Sequence, residues 1–314
     1  MRKEYPTYPK MKNTIKFTLF AAILLLFLFG LYYNKKSDIN KKDIIHLNKL
    51  VNLPENRKLG KNSIKIAVAS ILSPEATIES YKPLISYIGR KTGKTAILVQ
   101  RKTYQEINRL IEKGYVSLGF ICTGAYLYGN RNKMQILAIP QINGKITYQA
   151  YIIVKKSSHI RSFLSLRGKR FAFTDPISNT GHIYPLYLLK KMGKTPETFF
   201  KRTIFTYSHN RSIKAVYSGI VDAASVDSIV YNDYAKKHPE IVKSIYIIKR
   251  SDRFPIPPVV VPKKLGENLK EKLLKILIDI DKQNAGKKIL KNIGIDRFVL
   301  PKPDMYKKFI KKYQ

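Results

Sequence analysis

Tryptophan is absent from the 314 residues, and cysteine occurs once, as Cys122. A single thiol excludes an intramolecular disulfide and a cysteine-based metal cluster, and because it stands at 122 there is no lipobox after the N-terminal apolar run. Acid is scarce as well: 21 Asp+Glu stand against 59 Lys+Arg, a formal net charge of +38. Such an excess attracts anionic partners over long range, and nucleic acid is the first class to weigh. The lysines, however, are spread along the whole chain and accompany a general richness in Ile, Asn and Tyr, so nucleic acid is not expected as a partner. The five histidines (His46, His159, His182, His209, His238) are scattered without metal-ligand spacing. G-x-S-x-G, P-loop, H-E-x-x-H and G-x-G-x-x-G patterns are all missing. The expectation is a protein that is not an enzyme and holds neither metal nor cofactor.

What is present is a chain 44% hydrophobic, enough for a substantial core. Phe17 to Tyr33 (FTLFAAILLLFLFGLYY) carries no charge and follows Arg2, Lys3, Lys10, Lys12 and Lys16. A basic start before an apolar run is the layout of a secretory signal or signal anchor, and the length is near the lower limit for a bilayer core of roughly 30 Å. No small-x-small cleavage site follows, so the reading is a cytoplasmic basic N-terminus (1–16) and an uncleaved transmembrane anchor (17–33). Lysines flank the run almost equally, so charge alone does not orient it. Residues 34–62 are polar and Lys/Asn-rich, a linker with one short helix near 41–50.

From Ser63 strand and helix patterns alternate. Strands are expected at 64–69, 96–99 and 117–121, with helices at 74–92, 104–113 and near Ala125. This order implies a parallel sheet covered on both faces. Extended segments follow at 135–141 and 145–154, with Asn143-Gly144 as a hairpin turn. Alternation then resumes: strands at 170–173, 203–206, 221–225 and 244–248, helices at 181–192, 211–218 and 228–237. After Pro255, Pro257 and Pro258 comes a strand at 259–261. The remainder, 265–314, reads as helical with a break near Gly294. The fold class is α/β: two lobes, 63–148 plus 255–314 and 149–254, joined by two crossover segments. Such lobes enclose a cleft, and ligands in open α/β sheets sit beyond the carboxyl ends of the strands.

Five strand-to-helix turns carry candidate chemistry. Ser178, Asn179 and Thr180 precede an expected helix, with Gly181 allowing close backbone approach. The free N–H groups of a helix start favour an anion there; equally, Ser178 or Thr180 is simply an N-cap. Thr123 can cap or donate to a ligand, and Tyr126 is core or ligand contact; Cys122 reads as a buried thiol. Ser70 follows the first strand, as donor or as part of the approach to a helix. His209 is either structural or a pH-responsive donor. Asp227 is an N-cap or an acceptor selecting a ligand that carries a proton.

In sequence these segments also resemble a known family. Tyr81-Lys82-Pro83-Leu84-Ile85-Ser86-Tyr87-Ile88, then Lys91-Thr92-Gly93, come first. Gly144-Lys145 with Tyr148, Leu166-Arg167-Gly168-Lys169-Arg170-Phe171-Ala172-Phe173, and Asp175-Pro176-x-Ser178-x-Thr180-Gly181 follow, then Phe199-Phe200, Ser208-His209-Asn210 and Gly219-x-Val221-Asp222-Ala223. The ordered set, about three quarters of the chain, is similar to the periplasmic substrate-binding proteins of phosphonate, phosphite and phosphate ABC importers. The resemblance implies a type II periplasmic-binding fold that closes on a small phosphorus oxyanion. It implies oxygen-holding roles for Ser178, Asn179, Thr180 and the Gly181 amide, with His209 and Tyr126 also in the cleft. Asn179 stands where Ser or Thr is common, and Cys122-Thr123-Gly124 where a proline is frequent. Arg253-Phe254-Pro255-Ile256-Pro257-Pro258 lacks the acid with which aminophosphonate binders grip an amine. The implied partner is a transporter permease or, alternatively, a membrane sensor kinase. The implied location is the extracytoplasmic face of the inner or cell membrane, as a monomer.

Overall fold

This computed structural model describes residues 62–307. The expected anchor, its basic flank and nearly all of the linker lie outside the described residues. Among the described residues no helix is long and apolar enough to cross a membrane.

The first half runs β1 (Ser63–Val68), α1 (Pro74–Thr92), β2 (Thr95–Val99), α2 (Tyr104–Glu112), β3 (Leu118–Phe120), α3 (Thr123–Tyr128), β4 (Met134–Gln141). Local chemistry sets several of these boundaries. Pro74 opens α1, and Gly93 closes it at φ 71°, where a side chain would be strained. Thr103 and Glu106 form a reciprocal capping box at α2. Asn143 and Gly144, both at positive φ, make the expected tight turn and bring Ile142 opposite Lys145.

The chain then crosses through β5 (Thr147–Tyr148) into β6 (Ala150–Lys155) and β7 (Arg170–Phe173). A wide π-type turn (Asn179–Ile183) leads into α4 (Tyr184–Lys191) and α5 (Pro196–Phe199). Next are β8 (Arg202–Phe205), α6 (His209–Tyr217), β9 (Ala223–Asp227), α7 (Ser228–Lys237), α8 (Pro239–Lys243) and β10 (Ile245–Arg250). It returns through β11 (Phe254–Pro255) to β12 (Val259–Pro262), α9 (Glu267–Asp279), α10 (Asn284–Asn292) and β13 (Arg297–Val299).

Two sheets result, ordered β13-β4-β12-β3-β1-β2 and β10-β6-β9-β7-β8, and β5 pairs with β11 as a separate ribbon. The parallel sheet expected for each lobe is found only in part. β2-β1-β3 and β8-β7-β9 are parallel. The strand entered after each crossover, β6 in one sheet and β12 in the other, runs antiparallel to these, and β10 and β4 pair antiparallel with β6 and β12 in turn. Both sheets bury both faces. Along β1, Ile64, Ile66 and Val68 pack with α1, α9 and α10, while Ala67, and Ala69 just beyond the strand, pack with α2. Along β7, Phe171 and Phe173 join an aromatic cluster with Phe200, whose ring lies 4.4 Å from that of Phe171. Ala172 faces α6 on the other side.

One assignment is corrected. Residues 297–299 are a strand on β4, not helix. The register pairs Phe298 with Pro140, a partner no local pattern announces.

Candidate functional site

The carboxyl ends of β1, β3, β7, β8 and β9 meet where the two lobes touch. Ser178 caps the π-type turn: its Oγ accepts the Gly181 N–H at 3.1 Å. The Gly181 amide expected to hold an anion is therefore already taken. Gly181 is required for another reason: a Cβ there would sit 2.4 Å from Thr174. Asn179 is buried and its Nδ2 donates to the Tyr148 hydroxyl at 3.2 Å. Thr180 is fully buried and its Oγ1 has no partner.

His209 lies in the first turn of α6, which begins two residues earlier than the sequence pattern implies. Its Nδ1 receives the Asp227 N–H at 3.2 Å and contacts Thr174 Oγ1 at 3.1 Å. A backbone N–H only donates, so Nδ1 is the acceptor and a neutral ring carries its proton on Nε2. Burial holds this ring's pKa down at about 3, so it is not the switch near neutral pH that the sequence allowed. The Nε2 donor is buried without a partner.

Asp227 is the N-cap that the sequence offered as one of its two readings. Its Oδ1 caps α7 by accepting the N–H groups of Ile229 and Val230. The same residue lines a cavity of about 100 Å³ walled by Tyr81, Phe120, Ile229, Ile256 and Pro258. Burial pushes its carboxyl up to about 7.

Three expected contacts are placed elsewhere. Thr123 Oγ1 donates to the Pro255 carbonyl at 2.8 Å, tying α3 to the crossover. Tyr126 packs edge-on against Tyr306 at 5.2 Å. Ser70 Oγ donates to the Lys102 carbonyl at 2.8 Å. Nearer carbonyls thus take the hydroxyl donors of Thr123 and Ser70.

Two hydroxyls not singled out from sequence complete the set. Tyr104 OH and Ser208 Oγ are buried and unpartnered. Tyr104 lies close enough to Cys122, Asp175, Asp227 and Tyr148 for their charges to disfavour its ionisation, behind burial as the main cause. Its position after β2 was the available signal, since ligands collect beyond strand ends. Among the described residues six buried side-chain polar atoms lack partners; Thr180 Oγ1, His209 Nε2, Ser208 Oγ and Tyr104 OH belong to this seam. Buried donors left unpaired are costly, which makes these four the candidate contacts for a guest. Among the described residues no group of three or more His, Cys, Asp or Glu could hold a metal ion.

Curated relatives match part of the chain. The chain is 28% identical over 182 residues to the phosphonates-binding periplasmic protein of Escherichia coli, covering 53% of each chain. It is 26% identical to a probable ABC transporter phosphite-binding protein of Prochlorococcus marinus, covering 48% of this chain and 52% of that one. The chain thus spans about half the length of the curated relatives it matches. Solved structures share the fold. A binding protein component of an ABC phosphonate transporter from Pseudomonas aeruginosa superposes with a TM-score of 0.75 at 22% identity, covering 80% of this chain and 85% of that one. The Prochlorococcus marinus protein in complex with methylphosphonate gives 0.71 at 19%, covering 80% and 97%. A family model described as ABC transporter, phosphonate, periplasmic substrate-binding protein matches residues 66–306, and the chain belongs to that family, one of α/β substrate-binding proteins.

Proposed function

We propose that this protein captures a small phosphorus oxyanion between its lobes and delivers it to an ABC-type importer. The observation that carries this reading is the group of buried, unpartnered donors: Thr180 Oγ1, His209 Nε2–H, Ser208 Oγ and Tyr104 OH. A tetrahedral oxyanion supplies several acceptors at once and would relieve all of them. The neutral His209 donor serves without a charge change. Asp227 repels a fully ionised guest, so the site favours one that carries a proton or an organic substituent in place of an oxygen. The apolar cavity beside Asp227 suits such a substituent, which favours a phosphonate over phosphate. Capture is reversible and involves no covalent step; binding shifts an open–closed equilibrium. The reading places the lobes outside the cytoplasmic membrane, tethered by residues 17–33 beside the permease.

The test is thermal unfolding of the full chain in detergent with phosphate, phosphite, methylphosphonate, aminoethylphosphonate and sulfate. A ligand at a hundred times its Kd stabilises by about 2.7 kcal/mol. A shift confined to one or two phosphorus oxyanions supports the proposal; equal responses to sulfate and all the others sink it.

A further inference from the structure

The two lobes are bonded to each other directly. Asp175, from the loop after β7, is buried. Its Oδ1 accepts the Ile177 N–H of its own loop at 2.9 Å, and its Oδ2 accepts the Tyr104 N–H of α2, on the opposite lobe, at 3.0 Å. The capping box of α2 satisfies the N–H groups of Thr103 and Glu106, which leaves the Tyr104 N–H for a partner from elsewhere. A carboxylate at a helix N-terminus is favoured by the aligned peptide dipoles. Two more bonds close the far side of the seam. The His209 N–H donates to the Ile71 carbonyl at 3.0 Å, and the Ser73 N–H donates to Asn210 Oδ1 at 2.9 Å. Lys102 Nζ sits 4.6 Å above the Tyr207 ring. At the centre, Gly124 lies against the opposite loop so closely that a Cβ would fall 2.1 Å from the Ile177 carbonyl oxygen and 2.7 Å from the Asn179 nitrogen.

We propose that Asp175 is a positioning residue for closure. By capping α2 from across the cleft, it fixes the Tyr104 hydroxyl over the guest's place and favours the shut arrangement of the lobes, which a guest then stabilises further. The proposal deepens the reading of this cleft as the binding site, but the latch itself needs no ligand. Each bond in the seam joins protein to protein, so it is available to the ligand-free chain as well, and the latch keeps the closed form populated there. Gly124 is the contact surface that permits it.

Hydrogen exchange of the ligand-free full chain in detergent, read by mass spectrometry, tests this directly. The amides of Ser73, Tyr104 and His209 are expected to be protected in the wild type. Asp175→Ala is expected to speed exchange on the order of tenfold, as loss of a bond to a charged group allows. The speeding should reach Ser73 and His209, which Asp175 does not touch. Asp175→Asn, which keeps a carbonyl acceptor, should restore part of the protection. Gly124→Ala, built on the other lobe, should loosen the same amides and carries the test if Asp175→Ala loses protection in β1 and β7 as well. Seam amides that exchange freely in the ligand-free wild type overturn the latch. So does an effect of Asp175→Ala confined to residues 175–177 and Tyr104. A protected seam in a chain that gives no response to methylphosphonate leaves the latch standing and removes the phosphonate reading alone.

Discussion

The Asp227 N–H donates to His209 Nδ1 at 3.2 Å, so one backbone group on β9 sets the tautomer of a ring on α6. The consequence is a fixed Nε2–H donor that needs no added proton. Nitrogen NMR of the ligand-free chain should show the Nε2–H tautomer, with no titration between pH 5 and 8. His209→Ala should weaken methylphosphonate binding by about 1–3 kcal/mol while leaving the shape of its pH profile in that range unchanged.

Ser178 and Thr180 separate capping from binding. Thr180→Val fills the same space and removes only an unpartnered oxygen. It should hold or raise stability and weaken anion binding by about 1–3 kcal/mol, measured by calorimetry. Ser178→Ala removes the acceptor of the Gly181 N–H and should cost about 1 kcal/mol of folding stability.

Tyr104→Phe deletes a second buried, unpartnered oxygen. The melting temperature should not fall, and affinity should drop roughly tenfold. A variant with unchanged affinity would take Tyr104 out of the site.

Asp227 and His209 oppose each other in pH dependence. The Asp227 carboxyl is raised from its ordinary 3.8 to about 7, so its contribution to stability is full below 3.8 and is lost as pH rises through about 7. His209, lowered from 6.5 to about 3, contributes stability above 6.5 that is lost as pH falls. Asp227→Asn removes the first effect. It should stabilise the ligand-free chain at pH 8 by on the order of a few kcal/mol, leave it unchanged near pH 4, and steepen the rise between. Denaturant melts at the two pH values check this.

Cys122 is buried, which pushes its thiol up to about 11, with the Asn179 backbone N–H nearby as the largest opposing influence. Disulfide-exchange labelling at pH 8 should run at least about a hundredfold slower than in the unfolded chain, and slower still with bound methylphosphonate.

Much of this was legible because it is local. Pro74 and Gly93 mark the ends of α1, and Asn143-Gly144 declares its turn. The triplet Ser178-Asn179-Thr180 lies after a strand, where a site belongs. What escaped depends on partners far along the chain. Arg297 to Val299 carry no strand signal until β4 lies alongside. Tyr104 looks like any aromatic opening a helix, and only the folded chain shows its hydroxyl buried without a partner. Thr123 loses its donor to Pro255, a residue 132 positions away. Orphaned and satisfied hydroxyls are indistinguishable in sequence.

The β5–β11 ribbon pairs Thr147 with Pro255 and Tyr148 with Phe254, and the lobes are linked through those few residues. Two strands hydrogen-bonded side by side bend readily out of their common plane but resist shear within it. Such a joint behaves as a leaf spring with a single soft direction. Its stiffness is set by four residues, of which Tyr148 also receives the Asn179 Nδ2 donor, so bending at the joint is felt directly in the loop after β7.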